Sequence, residues 1–173
     1  MGNRTTHTRS RLSRHGSARA ALATLALFLC FDAQALDCTV SATGVAFGVY
    51  DAASTAPTDS AGNVSVRCTH LGGGAVKTNY SITLSTGSSS AYTQRRMRAG
   101  TSFLNYNLFM DATRLQVWGN GTGGSTLVAS SLLVNPGNFV INEVSHPIYG
   151  RIPAQQAADT GSYSDTILVT LTF

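Results

Sequence analysis

The chain has 173 residues, of which 43% are hydrophobic and 12% are charged, with a formal net charge of +4. Five of its twelve Lys and Arg residues and one of its eight Asp and Glu residues lie before residue 36, which leaves seven of each in the remainder. Residues 36–173 therefore carry no net charge. Proteins that bind nucleic acid or acidic membranes usually carry an excess of basic residues, so we expect neither as a partner.

The first 35 residues predict a secretory signal peptide. Five arginines precede the apolar run AALATLALFLCF, and the small-residue segment AQA follows it closely. A basic head, a short apolar core and small residues at the cleavage site define such signals. A membrane span needs about 20 apolar residues, and this run is shorter. We therefore expect cleavage after Ala35, which exports residues 36–173 as one domain of 138 residues without a membrane span.

The three cysteines predict one disulfide. Cleavage removes Cys30 and leaves Cys38 and Cys68. A lipoprotein site at Cys30 is an alternative, but Leu29 is bulkier than the small residue that such sites require before the cysteine. An even pair in an exported chain is typical of a disulfide. Two buried free thiols are the other possibility.

The rest of the chain predicts an all-β fold. Short runs rich in Val, Ile, Thr, Tyr and Phe recur between Gly, Ser and Asn, and no stretch of about a dozen residues keeps a helical period. Strands are predicted near 38–50 (broken at Gly44), 62–69, 79–86, 102–110, 114–118, 138–149 and 164–173. Loops are predicted at 53–63 and 85–94, and a glycine-rich turn after Trp118. Short strands with frequent turns favour a two-sheet sandwich of the immunoglobulin type over a closed barrel.

Three arginines, Arg95, Arg96 and Arg98, follow a Ser-rich loop. They admit two interpretations. One is a patch that binds anions or polysaccharide. The other is a solvated loop whose arginines cap strand ends or pair with Asp111 and Asp165, and this second interpretation is the one we adopt.

Residues that catalysis or metal binding would need are sparse. Only His70 and His146 follow the signal, and neither belongs to a G-x-S-x-G or H-E-x-x-H motif. One glutamate, Glu143, and six scattered aspartates accompany them. The glycines of GNGTGG lack the lysine and the strand-loop-helix context of a phosphate loop. We therefore expect no enzyme activity, no catalytic residue, no metal and no cofactor.

Six segments of the sequence resemble a known family. They are CTVSATGVAFGVYD, GNVSVRCT, YSITLSTGSS, RRMRAG, LNYNLFMDATRLQVWGNGTGG and GSYSDTILVTLTF, and they span nearly all of residues 38–173. They resemble the spore coat protein U domain family, which includes the pilin subunits of archaic, Csu-type chaperone-usher pili. The resemblance implies an immunoglobulin-like β-sandwich that lacks its final strand, so that an apolar groove lies open along the last strand.

The end of the chain fits that implication. Apolar and polar residues alternate in SYSDTILVTLTF, so Ile167, Val169, Leu171 and Phe173 lie on one face of a strand. From the resemblance, these residues line a groove that a chaperone strand fills during folding and a neighbouring subunit's N-terminal extension fills in the fibre. Chaperones of such systems grip the terminal carboxylate with basic residues. An ordinary core strand in a complete sandwich is the alternative that the alternation alone leaves open.

The N-terminus departs from the family pattern. Polymerising subunits carry a long extension before the first cysteine, and that extension is the donated strand. Cleavage after Ala35 leaves only Leu36 and Asp37 before Cys38, too few for a strand at about 3.3 Å per residue. We therefore expect a subunit that accepts a strand and does not donate one; a processing site upstream of Ala35, which would leave a longer extension before Cys38, is the alternative.

The resemblance implies an exported structural or adhesive subunit of an archaic chaperone-usher pilus. Its expected place is the tip or a minor position, and its expected role is surface attachment and biofilm formation. The expected partners are a periplasmic chaperone, an outer-membrane usher and neighbouring subunits joined by donor-strand complementation. The expected location is the periplasm in transit, then the cell surface, the pilus or the extracellular space. A secreted spore-coat or extracellular-matrix protein that forms no fibre is the alternative.

Overall fold

The structure is a computed structural model that describes residues 36–137 and 142–173. The predicted signal peptide and the first four residues of the strand predicted at 138–149 lie outside the described residues. Within the described part of the chain, no helix is long and apolar enough to span a membrane.

Eight strands occur among the described residues. They are β1 (Leu36–Thr43), β2 (Thr58–His70), β3 (Val76–Leu84), β4 (Arg95–Ala99), β5 (Ser102–Phe109), β6 (Val128–Val134), β7 (Asn142–Ile152) and β8 (Val169–Thr172). They form a five-stranded sheet in the order β1-β2-β7-β5-β4 and a three-stranded sheet in the order β6-β3-β8. All pairs are antiparallel, and the two sheets pack as an immunoglobulin-like sandwich, as the sequence predicts.

The core lies between the sheets because their strands alternate. Alternate residues of β2 and of β3 are buried, whereas those between them are half-buried or exposed. Side chains alternate between the two faces of a strand, so each sheet turns one apolar face toward the other. The buried apolar side chains are Val64, Val66, Cys68, Tyr80, Ile82, Leu84, Met97, Leu104, Tyr106, Leu108, Trp118, Val128, Val134, Ile148 and Ile152.

Six of the seven predicted strands coincide with an observed strand, although their bounds differ. β1 ends at Thr43, next to the predicted break at Gly44, and β2 begins at Thr58, inside a segment predicted as a loop. The strand predicted at 114–118 is wrong, because only Val117 and Trp118 form isolated bridges there. β4 and β6 were not predicted. β4 contains the arginine cluster, which a solvated loop was expected to carry.

Cys38 and Cys68 form the predicted disulfide. They lie directly opposite each other in β1 and β2, with their Cα atoms 4.1 Å apart. β1 is an edge strand whose strand partner is β2. The disulfide therefore fastens the edge of the five-stranded sheet to a strand that contributes fully buried core residues.

Replacing Cys38 and Cys68 together by Ala should lower the free energy of unfolding by about 3 to 4 kcal/mol, because the bond closes a loop with a sequence separation of 30. Denaturant titration of the oxidised protein and of the double variant measures the change. Reduced wild-type protein is the matched control and should lose a similar amount. Equal midpoints for all three samples would contradict the prediction.

Candidate functional site

Within the described residues, the last segment of the chain, residues 163–172, has strand partners along one of its two edges. Ser164 exchanges two backbone hydrogen bonds with Arg98 of β4, at 2.9 and 3.1 Å. Further along, Ser85 N–H donates to Leu168 O at 2.9 Å, and β8 then pairs with β3. Among the described residues, no strand pairs with the opposite edge of β8. That edge presents backbone N–H and C=O groups that another strand could pair with.

An open groove lies beside this free edge. One wall is residues 163–169, and the other is residues 42–47, which form the end of β1 and the segment after it. We call this groove the edge groove. Its volume is about 300 Å³. Its floor consists of the core side chains Leu84, Met97, Tyr106, Leu108 and Ile148. The groove therefore opens directly onto the core of the sandwich.

A second cavity of about 780 Å³ continues from the edge groove. The two spaces share Val45, Phe47, Met97 and Tyr163 among their lining residues. Together they form a cleft between the segment after β1 and the segment before β8. A cleft beside a free strand edge is the kind of site at which an extended chain adds as a further strand.

A glycine in β7 lets the segment after β1 lie close to the five-stranded sheet. A Cβ atom on Gly150 would lie 2.6 Å from Val45 Cγ1 and 2.7 Å from Phe47 Cζ. Phe47 then packs edge-on against Tyr106, with ring centroids 5.9 Å apart. A larger residue at position 150 would displace both side chains and move this wall of the groove.

The opposite wall carries one carboxylate, Asp165. Its Oδ2 accepts a hydrogen bond from the Tyr106 hydroxyl at 2.7 Å, and its Oδ1 accepts bonds from the N–H groups of Ser88 and Thr166 at 2.8 and 2.9 Å. Burial, and then the bond to Asp165, raise the pKa of Tyr106 far above its usual value, so the phenol stays protonated and donates. The carboxylate thus fastens the wall to the floor and to the turn after β3.

Arg95 supports the same region from inside the sandwich. Its side chain is fully buried, which corrects the expectation of a solvated loop. Nε and Nη2 donate to Ser85 O at 3.0 and 2.8 Å, Nη2 also donates to Trp118 O at 2.7 Å, and Nη1 donates to Asn107 Oδ1 at 2.8 Å. Burial lowers the pKa of Arg95, but a guanidinium remains protonated in proteins. One charged side chain therefore joins three separate segments.

The acids expected to pair with the arginine cluster bind elsewhere. Asp111 accepts hydrogen bonds from the Thr113 hydroxyl and, at 2.8 Å, from Gln116 N–H, and these bonds lower its pKa to about 2. Asp165 accepts the bonds described above. Across residues 36–137 and 142–173, neither carboxylate forms a salt bridge with the cluster. Asp111 instead fixes the conformation of its own loop.

The four residues predicted for the groove differ in position. Ile167 and Val169 are half-buried and line it. Leu171 is half-buried against the core but outside the lining, and Phe173 is 59% exposed beyond the end of β8. That these residues receive a strand stays a prediction.

Sequence reasoning missed three aromatic or aliphatic residues of the groove walls, namely Val45, Phe47 and Tyr163. A signal for them exists. Counting back in steps of two from Ile167 gives Tyr163, on the same strand face. Val45 and Phe47 also alternate in GVAFG, inside the predicted strand 38–50, but the predicted break at Gly44 separated them from the first strand and they were not assigned to the groove.

The two histidines are packed into the sandwich. His146 Nε2 lies 2.8 Å from the Tyr80 hydroxyl oxygen, and burial lowers the pKa of His146. His70 is 1% exposed, and neither of its ring nitrogens has a hydrogen-bond partner in the described part of the chain. Among residues 36–137 and 142–173, no three His, Cys, Asp or Glu side chains are grouped so that they could hold a metal ion.

Known proteins resemble this chain in sequence and in fold. The family model of the Spore Coat Protein U domain matches residues 24–170. Protein U of Myxococcus xanthus is 37% identical over 114 residues, which cover 65% of this chain and 59% of Protein U. One chain of the CsuC-CsuE chaperone-tip adhesion subunit pre-assembly complex, from the archaic chaperone-usher Csu pili of Acinetobacter baumannii, matches with a TM-score of 0.52 and 26% identity, over 80% of this chain and 40% of that one. The chain therefore spans less than two thirds of either relative.

Replacing Arg95 by Met should destabilise the fold by about 3 kcal/mol or more, because buried acceptors lose charged donors. The matched control is Arg96→Met at the next, exposed position, which should change the free energy of unfolding by less than about 0.5 kcal/mol. Thermal and denaturant unfolding of the two variants measures the difference. Similar stabilities for both variants would show that the hydrogen bonds of Arg95 do not hold this region.

Proposed function

The chain belongs to the spore coat protein U domain family, and we propose that it is an exported subunit of an archaic chaperone-usher pilus that accepts a donated β-strand in the edge groove. One observation carries this proposal. A strand edge without a strand partner in the described residues borders a groove that opens onto the core.

An inserted strand would satisfy both features of the site. Its backbone would pair with the free edge of residues 163–172, and its alternate side chains would enter the groove. Strand addition of this kind gains affinity from main-chain hydrogen bonds and specificity from the pockets for alternate side chains. The groove floor offers apolar contacts, and Asp165 offers the only charged group on its lining in the described residues.

The free energy that a donated strand could add by burying apolar side chains is a substantial fraction of the stability of one domain. Full burial of a Val, Leu or Ile side chain contributes roughly 1.5 to 3 kcal/mol, and Ile167, Val169 and Leu171 are half-buried. A domain of this size is stable by only about 5 to 15 kcal/mol. Without a donated strand, the subunit should therefore be weakly stable and prone to associate through its open edge.

The proposed partners follow from the route that such a subunit takes. A periplasmic chaperone would supply the first strand, an outer-membrane usher would exchange it, and a neighbouring subunit would supply the final strand. The match to a chain of a chaperone-tip adhesion subunit complex supports the chaperone. We propose a tip or minor position in a surface pilus, a structural or adhesive role without catalysis, and a contribution to surface attachment and biofilm formation.

A secreted coat or matrix protein that forms no fibre is the second candidate. The identity to Protein U and the description of the family favour it. The two candidates differ in one property, because only a pilus subunit requires a strand from another chain. The response of the isolated protein to a donor strand therefore separates them.

A synthetic peptide with alternating apolar residues, taken from a co-expressed pilin, should raise the thermal midpoint of the wild-type protein, since a ligand of the folded form stabilises it. Co-expression with the cognate chaperone should raise its yield. Leu168→Asp should respond like wild type, because Leu168 is 68% exposed. Val169→Asp should not respond, because its charge enters the groove lining.

The control peptide has the same composition in an order without alternation, and it should have no effect. If the wild-type protein is a stable monomer that ignores donor peptide and chaperone alike, the proposal of strand acceptance is wrong. A secreted domain that is complete by itself would then be the better account.

A further inference from the structure

The outer face of the five-stranded sheet concentrates basic charge. Arg96 and Arg98 lie on its edge strand β4, Arg151 lies on β7, and Arg114 lies above the ring of Tyr149 with 5.9 Å between guanidinium carbon and ring centroid. These are four of the seven basic residues that follow residue 35. Asp59 forms salt bridges with Arg114 and Arg151, at 3.3 and 2.7 Å, so the uncompensated positive charge of this face comes mainly from Arg96 and Arg98. A local positive field of this kind attracts anions.

Two of these cations share one aromatic ring. The guanidinium carbons of Arg96 and Arg98 lie 4.6 and 5.0 Å from the ring centroid of Phe103. No acid forms a salt bridge with either arginine in the described part of the chain. Asp159, which borders the same ring, accepts a hydrogen bond from Ser102. Two like charges thus lie side by side over one ring, with guanidinium edges available for a bidentate carboxylate.

A shallow pocket of about 490 Å³ lies next to this pair on the same face. Its lining residues include Thr93, Gln94, Asn105, Phe109 and Arg151. Gln94 is exposed and Asn105 is half-buried, and within the described residues neither side-chain amide has a hydrogen-bond partner. The pocket therefore combines free amide groups with an aromatic surface.

The rim of the pocket is fixed before any ligand arrives. The buried side chain of Asn107 donates to Tyr92 O and Thr93 O at 2.9 and 3.0 Å, which holds the loop before β4 in place. Arg151 is oriented by Asp59, to which Nε and Nη2 donate at 2.7 and 2.8 Å. Asp59 offsets part of the charge of Arg151 and also pairs with Arg114, whereas Nη1 of Arg151 has no hydrogen-bond partner in the described residues.

The spacing of the cations suits a chain of sugars. Arg96 lies opposite Asn105 in the β4–β5 register, and Arg151 lies opposite Asn107 in the β5–β7 register. From strand spacing and rise per residue, the backbones of the two arginines are about 12 Å apart. The row between them contains neutral polar side chains, which match hydroxyl groups better than a continuous row of phosphates.

We propose that this outer face binds an acidic polysaccharide. Uronic acid carboxylates would bind the Arg96 and Arg98 pair and the free edge of Arg151. Sugar hydroxyls would bond to the amides of Gln94 and Asn105. The apolar face of a sugar ring would stack on Phe109, beside the edge of the sheet and away from the edge groove.

The test measures binding of the secreted full-length protein to immobilised polygalacturonate, with neutral dextran and double-stranded DNA as comparison probes. Wild-type protein should bind polygalacturonate and not dextran. R96Q/R98Q should weaken binding by about tenfold or more, because charged hydrogen bonds are lost. Q94A/N105A should also weaken it by several-fold, with the loss persisting at high salt, since no charge is removed.

R67Q is the matched control, because Arg67 is exposed on the same sheet but lies opposite Glu143, away from the pocket. It should bind like wild type. All variants change residues at the surface and should keep the thermal midpoint of the wild-type protein. If a double variant has a lower midpoint, its two single substitutions are tested in its place. Absence of polygalacturonate binding, equal binding to DNA, or equal losses in R67Q and R96Q/R98Q would overturn the proposal. If Q94A/N105A binds polygalacturonate as tightly as the wild-type protein, binding depends on charge alone, and the proposed contacts of sugar hydroxyls with these two amides are wrong.

Discussion

A β-strand carries hydrogen-bonding groups along both of its edges, and in the part of the chain that the structure describes the last segment pairs along one of them. Residues 163–172 pass from β4 of one sheet to β3 of the other, so a single segment closes one side of the sandwich. The free edge of that segment and the end of β1 then border the edge groove. The position of the groove, its apolar floor and the proposed acceptance of a strand all depend on this crossing.

The segment stays in place because charged and polar groups hold it where apolar packing is incomplete. Asp165 bonds to Tyr106 in the groove floor and to the backbone at Ser88. Arg95 joins the neighbouring carbonyls of Ser85 and Trp118 from inside the core. Each of these side chains has several partners, as buried polar groups require. The groove wall is therefore shaped by the subunit itself, which would leave a donated strand to supply mainly apolar contacts and edge hydrogen bonds.

The sequence predicted the features that depend on local pattern. Short strands with frequent turns predicted the sandwich, and alternation predicted that Ile167, Val169 and Leu171 share one face of the last strand, where all three are half-buried. The even cysteine pair predicted the disulfide. The sequence could not show that Arg95 is a core residue, because its acceptors are backbone carbonyls from distant segments that meet only in the fold. β6 was missed because VASSLLV places two serines and two leucines in succession, which hides its alternation. Phe173 keeps the periodicity of the strand but extends past the last backbone pair, and periodicity alone does not show where pairing ends.

Residue-resolved amide hydrogen exchange by NMR tests the central claim most directly. Alternate N–H groups of a strand point to the same edge, and the bond from Ser85 N–H to Leu168 O places Ile167, Val169 and Leu171 toward the free one. We predict fast exchange of these three amides in the isolated protein, slow exchange once a donor strand or chaperone is bound, and protection of Thr170 in both states. Equal protection of all four amides in the isolated protein, unchanged by donor strand or chaperone, would contradict the account.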